Sequence, residues 1–269
     1  MRPLRIGSWN IRKAVGLDWR RDPARVLRVL GRMNLDIVIL QESDKRIAPR
    51  PPALPPDLVQ QAGWTYIDAD PATPSIGHHG NAILLGAGFA MSHFSPLDLP
   101  GLEPRGAVLA GITGHGKAFT IGALHLGLRR KDRLRQVDAV LDATRHFEGP
   151  AILGGDLNEW RMPGRLVPSS SEWTEVAPGP SFHTAAARFQ LDRFLVGEDL
   201  VLSRRMIRKR RQITCPSGST SHFAKTAEPV AGTSPDRAHF VLTQFCPAVY
   251  LSSVWRGRAR MSSNSALVR

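Results

Sequence analysis

Polar side chains recur at the ends of short apolar runs in this chain: Asn10, Glu42, Asn81, His125, Asp156, Asn158 and Asp192. Strand ends are rigid and can aim such groups into a shared cleft. Cleavage of a phosphate diester by water needs an activated water, a hard cation, and donors for the charge that builds on the phosphoryl oxygens. Mg2+ takes few protein ligands, typically one or two carboxylates, and leaves its other positions to waters and substrate. A Glu and an Asn on neighbouring strands suit that demand. An Asp can hold or deprotonate the water, and a nearby Asn and His can donate to the phosphoryl oxygens. Each residue also has a plainer role when taken alone. Glu42 reads as a solvated loop residue, Asn10 as a partner for local backbone, and His125 as a satisfied core histidine. Gly154-Gly155-Asp156-Leu157-Asn158 reads as a turn, and Asp192 as half of an ion pair with Arg193. Their joint occurrence, in this order and spacing, is what argues for chemistry.

The elements that must position these residues follow from periodicity. Residues 3–12 alternate as a strand, and Asp22-Pro23 opens a helix continued by Val26, Leu27, Val29, Leu30 and Met33. Asp36–Leu40 is a continuous apolar run, expected as a strand buried on both faces and leading into Gln41-Glu42. Asn81–Leu85 is a further short strand, and residues 49–56 form a Pro-rich loop. Ala107–Ile112 and Phe119–Leu124 read as a hairpin around Thr113-Gly114-His115-Gly116, its second arm running into His125. Arg133–Phe147 has helical spacing, Ala151–Leu153 is a strand, and Leu191–Val201 is the last recognisable strand segment. Strand pairs mixed with βα units predict an α/β fold with packed sheets instead of one doubly wound sheet. The segments 43–80, 86–106 and 159–190 are expected as loops that would choose a substrate. Arg105 and Arg161, which lie in them, could touch phosphate, but surface arginines usually do not.

The 269 residues are 42% hydrophobic, too apolar for a disordered chain, and carry a formal charge of +13. Two cysteines exclude a disulfide scaffold. No apolar run approaches the ~20 residues of a membrane span, and the first residues enter a strand directly, so a cytoplasmic monomer is expected. A charge of +13 alone points to a polyanionic partner such as nucleic acid. Its distribution says otherwise. From Ser203 onward the chain has 12 Lys and Arg against 2 Asp and Glu, which leaves only +3 on residues 1–202. Both cysteines, Cys215 and Cys246, lie in this basic, Ser-rich tail. Two domains are therefore expected: an ordinary globular unit over 1–202 and a poorly ordered tail over 203–269.

The segments Ser8-Trp9-Asn10-Ile11-Arg12, Leu40-Gln41-Glu42-Ser43, Gly80-Asn81-Ala82-Ile83-Leu84, Leu124-His125-Leu126-Gly127, Gly155-Asp156-Leu157-Asn158 and Leu191-Asp192-Arg193-Phe194 carry a resemblance. Together and in this order, the chain resembles the endonuclease/exonuclease/phosphatase superfamily, which includes deoxyribonuclease I-like enzymes. The resemblance implies a four-layer α/β sandwich, two packed mixed sheets flanked by helices. It implies a metal-dependent hydrolase of phosphate esters using Mg2+, with Mn2+ as a substitute. Glu42 would be the principal metal ligand with Asn10 beside it. Asp156 would activate the water, Asn158 and His125 would stabilise the transition state, and Asn81 would lie near the phosphate. Asp192 would hold a C-terminal histidine as a donor to that phosphate, fixing its tautomer.

That histidine is where the chain departs from the pattern. The family closes with Ser-Asp-His-x-Pro and an apolar strand, and no such motif is present. The nearest substitutes are Asp236 and His239 in Ser234-Pro235-Asp236-Arg237-Ala238-His239, with two residues between them, so their reach differs from the family pair by ~6–7 Å. A shift of reading frame explains more. With codons CAG ATC ACC TGC CCN for Gln212–Pro216, reading from the third base gives Asp-His-Leu-Pro, about 20 residues beyond Asp192. A shift between Leu200 and Gln212 would replace the native C-terminus and remove the closing strand, leaving a sheet edge bare. Loss of one transition-state donor costs about 10²–10³ in rate, so weak or absent turnover is expected. The alternative function is a non-catalytic binding protein whose tail engages nucleic acid or another anionic surface through Arg204-Arg205 and Arg208-Lys209-Arg210-Arg211.

Overall fold

A computed structural model describes residues 3–44, 49, 51–68, 75–161, 165–167, 172–179, 181, 189–197, 201–202 and 239–244. In chain order its elements are β1 (Leu4–Asn10), α1 (Pro23–Gly31), β2 (Ile37–Gln41), α2 (Pro56–Gln61), β3 (Thr65–Tyr66), β4 (Ala82–Leu85), β5 (Phe89–Leu99), β6 (Arg105–Gly114), β7 (Lys117–His125), α3 (Arg130–Thr144), β8 (Ala151–Asp156), β9 (Trp173–Val176), β10 (Asp192–Gly197), β11 (Val201–Leu202) and β12 (His239–Gln244). They build two mixed sheets, ordered β11-β12-β1-β2-β4-β3 and β5-β6-β7-β8-β10-β9.

Period-two alternation decides which residues face where. In β2, Ile37 and Ile39 point between the sheets, where they meet Ile6, Ile83, Val108, Ile121, Ile152 and Phe194. Val38 and Leu40 point the other way and pack under Val26, Val29 and Leu30 of α1. The continuous apolar run of β2 is thus buried on both faces, as its sequence requires. The second sheet is covered in the same manner by Val137 and Val140 of α3, which pack on Leu109, Leu124 and Leu153. The result is the four-layer sandwich of helix, sheet, sheet and helix. The entry to α1 is fixed by Asp22, whose side chain accepts from Arg25 N at 2.8 Å, with Pro23 in the first turn.

Several expectations are corrected: the segments 43–80 and 159–190, expected as loops, contain α2, β3 and β9. Residues 89–99 are not part of a loop but an 11-residue edge strand, β5, paired antiparallel to β6 along its length. Its alternation is hidden because one face is largely exposed and a bulge interrupts the register between Met91 and His93. A further correction concerns the edge of the first sheet beside β1. It is not bare: β12 pairs with β1 in parallel, Leu4 opposite Phe240 through Ser8 opposite Gln244. Leu242 joins the core between the sheets. The apolar run Phe240-Val241-Leu242 lies in this six-residue strand, which the tail's composition disguises. Residues 203–238 and 245–269, with the rest of the predicted tail, lie outside the described residues.

Candidate functional site

Register brings the candidate residues together. In the second sheet His125 ends β7 level with Asp156 at the end of β8, and Asp192 opens β10 directly opposite Asp156. Directly opposed residues share a face of the sheet, so His125, Asp156 and Asp192 form a row across three strands. In the first sheet Asn10 ends β1 level with Gln41, and Glu42 follows. The two rows meet where the sheets converge at these strand ends.

Asn10 links them. Its Nδ2 donates to Glu42 Oε1 at 3.2 Å and to Asp156 Oδ2 at 3.1 Å, while its Oδ1 accepts from Arg12 N at 3.1 Å. His125 Nε2 lies 3.8 Å from Asp156 Oδ2. Asn158 N donates to Asp156 Oδ1 at 3.1 Å, and Asn158 Nδ2 donates to Leu126 O at 2.8 Å. Both Glu42 and Asn158 sit in the left-handed backbone region, φ 52° and 49°. Such backbone is costly and is held only where its surroundings over-determine it. Burial raises the Asp156 carboxyl above its ordinary range. The Asn10 amide, the Asn158 N–H and the charge of Arg105 oppose the rise, and the negative charge of Glu42 adds to it.

Gly155 lets this packing happen. Its φ is 150°, and a Cβ there would sit 1.9 Å from Leu124 O, inside the β7–β8 pair that carries His125 and Asp156. No side chain fits.

The oxygen-rich donor set suits a hard divalent cation. Two carboxylates approach one amide, the charge of Glu42 disfavours ionisation of Asp156, and a cation relieves that repulsion. The Lys13 ammonium already rests against Glu42 Oε2, which shows that a positive group fits there. Glu42 would hold the ion, Asn10 would join once its amide turned to present Oδ1, and Asp156 would stand beside them for the water.

The remaining predicted residues fall differently. Asn81 spends Nδ2 on Gly106 O at 2.8 Å and His78 O at 3.2 Å, so in this structure it fastens its turn to β6. Asp192 is buried, and its backbone N donates to Ser181 Oγ at 3.2 Å. Asp236 lies outside the described residues. His239 opens β12 one residue before the position opposite Leu4. That places its backbone about 23 Å along the sheet from the Asn10 end, seven residues at ~3.3 Å each. His239 is therefore no substitute for the missing histidine, because its strand runs parallel to β1 and begins at the wrong end.

Sequence reasoning missed three groups. Lys13 gave no signal beyond its distance of three residues from Asn10. Arg105 is not a surface arginine: it is 4% exposed, pairs with Glu103 Oε2 at 2.7 Å, and acts on Asp156 through its charge. Arg193 does not pair with Asp192, since neighbours on a strand face opposite ways. It is 2% exposed, pairs with Glu175, and donates to Glu159 O at 2.8 Å and Arg161 O at 2.7 Å. It thereby clamps the loop that leaves Asn158. Arg161 itself is exposed, as expected.

Residues 7–209 match the Endonuclease/Exonuclease/phosphatase family. Among solved structures the chain is similar to TDP2 of D. rerio complexed with a single-strand DNA product, at 19% identity and TM-score 0.54, over 71% of this chain and 82% of that one. It is similar to the human Nocturnin catalytic domain with bound sulfate anion, at 19% identity and TM-score 0.55, over 74% and 84%. It is also similar to the mannosyl-6-phosphatase Bt3783 of Bacteroides thetaiotaomicron, at 17% and 0.54, over 71% and 84%. No curated protein sequence matches it. No helix among the described residues is long and apolar enough to cross a membrane.

Proposed function

Because the chain belongs to the endonuclease/exonuclease/phosphatase family, we propose that residues 1–202 carry a Mg2+-dependent hydrolase site for phosphate esters, weakened by the missing terminal Asp-His motif. One observation carries the reading: the Asn10 amide bridges a carboxylate from each sheet, Glu42 and Asp156, at 3.2 and 3.1 Å. Nothing in the packing of either sheet requires two acids at that meeting point. The bound cation would supply charge neutralisation at the phosphoryl oxygens.

The protein's own groups do the rest. Asp156, with its carboxyl raised by burial, accepts a proton from water more readily than an ordinary aspartate. Asn158 N–H holds Oδ1 of Asp156, so Oδ2, which takes the Asn10 amide and faces His125, is the oxygen turned toward the meeting point of the sheets. His125, 3.8 Å from Asp156, is near enough to donate to a phosphoryl oxygen placed between them. Asp192 stands beside this row with no histidine supplied to it by β12. The neighbours bind a single-strand DNA product, a sulfate anion, or act as a mannosyl-6-phosphatase. Their shared chemistry is a tetrahedral anion, which is the substrate class proposed here, nucleic acid included.

The test is hydrolysis of an aryl phosphodiester, single-stranded DNA and a sugar phosphate by the full chain, with Mg2+, with Mn2+ and with EDTA. Slow turnover is expected, abolished by EDTA and reduced at least about 10²-fold by Glu42→Ala. Turnover indifferent to EDTA or to Glu42→Ala refutes the assignment. Fast turnover refutes the weakening.

A further inference from the structure

We propose that His78, His79 and Asp98 form a second metal site, distinct from the Glu42–Asp156 cluster, which takes a first-row transition cation of the Zn2+ class. At this place, among the described residues, three ligating atoms of His, Cys, Asp or Glu all lie within 4.8 Å of one another. His78 Nε2 and His79 Nε2 are each 2.9 Å from Asp98 Oδ1. A tetrahedral ion with bonds of ~2.0–2.1 Å holds its ligand atoms about 3.4 Å apart, so the three need open only slightly to admit one.

The ligand types choose the ion. Two imidazoles and one carboxylate suit Zn2+ and its first-row neighbours better than Mg2+ or Ca2+. The Glu42 site, built of oxygens, has the opposite preference.

The fold makes room for the rings. A Cβ on Gly106 would lie 2.8 Å from Cδ2 of both His78 and His79, so the strand opposite Asp98 has no side chain where the imidazoles sit. The rings meet edge to face at 4.6 Å and do not stack. Their side chains are only 12% and 8% exposed, whereas that of Asp98 is 82% exposed, so the ion's free positions face water. His79 is held in the left-handed region, φ 49°, ahead of Gly80 at 80°.

An ion here would staple the turn His78–Asn81 to the β5–β6 pair. That turn closes on itself, His78 N to Asn81 O and Asn81 N to His78 O both at 2.9 Å. Gly80 packs beside the Glu42 loop, where a Cβ would be 3.1 Å from Asp44 Oδ1 and 3.5 Å from Glu42 Cα. Binding would thus raise thermal stability whatever the chain's hydrolytic activity.

Zn2+ alone, titrated into the full chain in a calorimeter and followed by melting temperature, tests the site. One equivalent is expected to bind and to raise the Tm. His79→Ala should weaken binding about 100-fold, and Asp98→Asn, at an exposed position that leaves the fold intact, about tenfold or more, since even outer partners of a ligand cost ~10–100-fold. Glu42→Gln should leave Zn2+ binding unchanged. The Co2+-loaded chain should lack the charge-transfer bands of a thiolate ligand, which excludes Cys215 and Cys246. Absence of Zn2+ binding overturns the proposal, as does binding that survives both His79→Ala and Asp98→Asn, that Glu42→Gln removes, or that shows thiolate bands.

Discussion

The chemistry of the site rests on how few groups share it. Asp156 is pressed by burial and by Glu42 toward its protonated form, and a divalent cation competes with that proton. The sign follows from this. Raising the pH through the elevated Asp156 range removes the proton and exposes the charge, so Mg2+ affinity should rise with pH and fall as the pH drops toward the ordinary aspartate range. Mg2+ titrations of the full chain at pH 5 and pH 8 check this, and an affinity equal at both, or higher at pH 5, contradicts it. Arg193 invites a separate prediction. It is a buried charge tied to Glu175 and to the carbonyls of Glu159 and Arg161. Removing one partner of a buried pair strands the other and costs about 3–5 kcal/mol. Arg193→Ala should therefore destabilise the chain by roughly that amount in a denaturant titration, and Arg193→Lys, lacking the planar fork, should recover only part of it. A loss below about 1 kcal/mol would show that the clamp is solvent-screened.

At the scale of elements, what was legible in the sequence is what alternation or a cap states locally. β1, β2, β4, the β6–β7 hairpin and β8 are apolar runs ending on polar groups, and Asp22-Pro23 announces α1. β5 was illegible because an edge strand with one largely exposed face, a bulge and Pro96 breaks the alternation of its packed residues Phe89, Phe94, Leu97 and Leu99. The same division holds for the site. Asn10, Glu42, His125 and Asp156 were readable because each ends an apolar strand. Lys13 and Arg105 were not, because their place depends on contacts between segments far apart in sequence. Gly155 was read only as part of a turn, and its packing role depends on the fold. With φ at 150° and Leu124 O in the space of a Cβ, it permits β7 and β8 to meet at the depth that aligns His125 with Asp156. Overpacking alone costs about 1–3 kcal/mol, and backbone strain adds to it. Gly155→Ala should lower stability by at least about that much and separate His125 from Asp156, read by thermal melting and by the crystal structure of the variant. An unchanged Tm would show that the strands part without cost.

Across the whole molecule the charge and the chain's direction tell one story. Ten of the thirteen excess positive charges lie beyond Leu202, past the elements that hold the site. The strand beside β1 comes from that region but runs parallel to β1, and so begins far from Asn10. A strand that follows an Asp-His at the site must start beside Asn10 and run the other way. The proposed out-of-frame reading would provide such a strand if the serines use TCN codons. Cys215, Ser217, Ser219, Ser221 and Phe223 stand at every second position, and the codons TGY, TCN and TTY all begin with T. In the frame that reads Asp-His-Leu-Pro, each of those bases becomes the middle of a codon. A middle T encodes only Phe, Leu, Ile, Met or Val, so TCN serines would give an apolar residue at each of these positions and AGY serines would not. Apolar residues at alternate positions from Cys215 to Phe223 are the signature of a half-buried strand, here placed directly after the missing motif. The coding DNA should therefore carry TCN serine codons at 217, 219 and 221, and Asp-His in the shifted frame at 212–214. AGY serines, or third bases that bar Asp-His, end the idea. Restoring the frame upstream of Gln212 should supply Asp192 with its histidine and raise Mg2+-dependent turnover about 10²–10³-fold, the worth of one positioned donor. The gain should vanish when that restored histidine is replaced by alanine, and a repaired chain no faster than this one would show that the site was limited elsewhere.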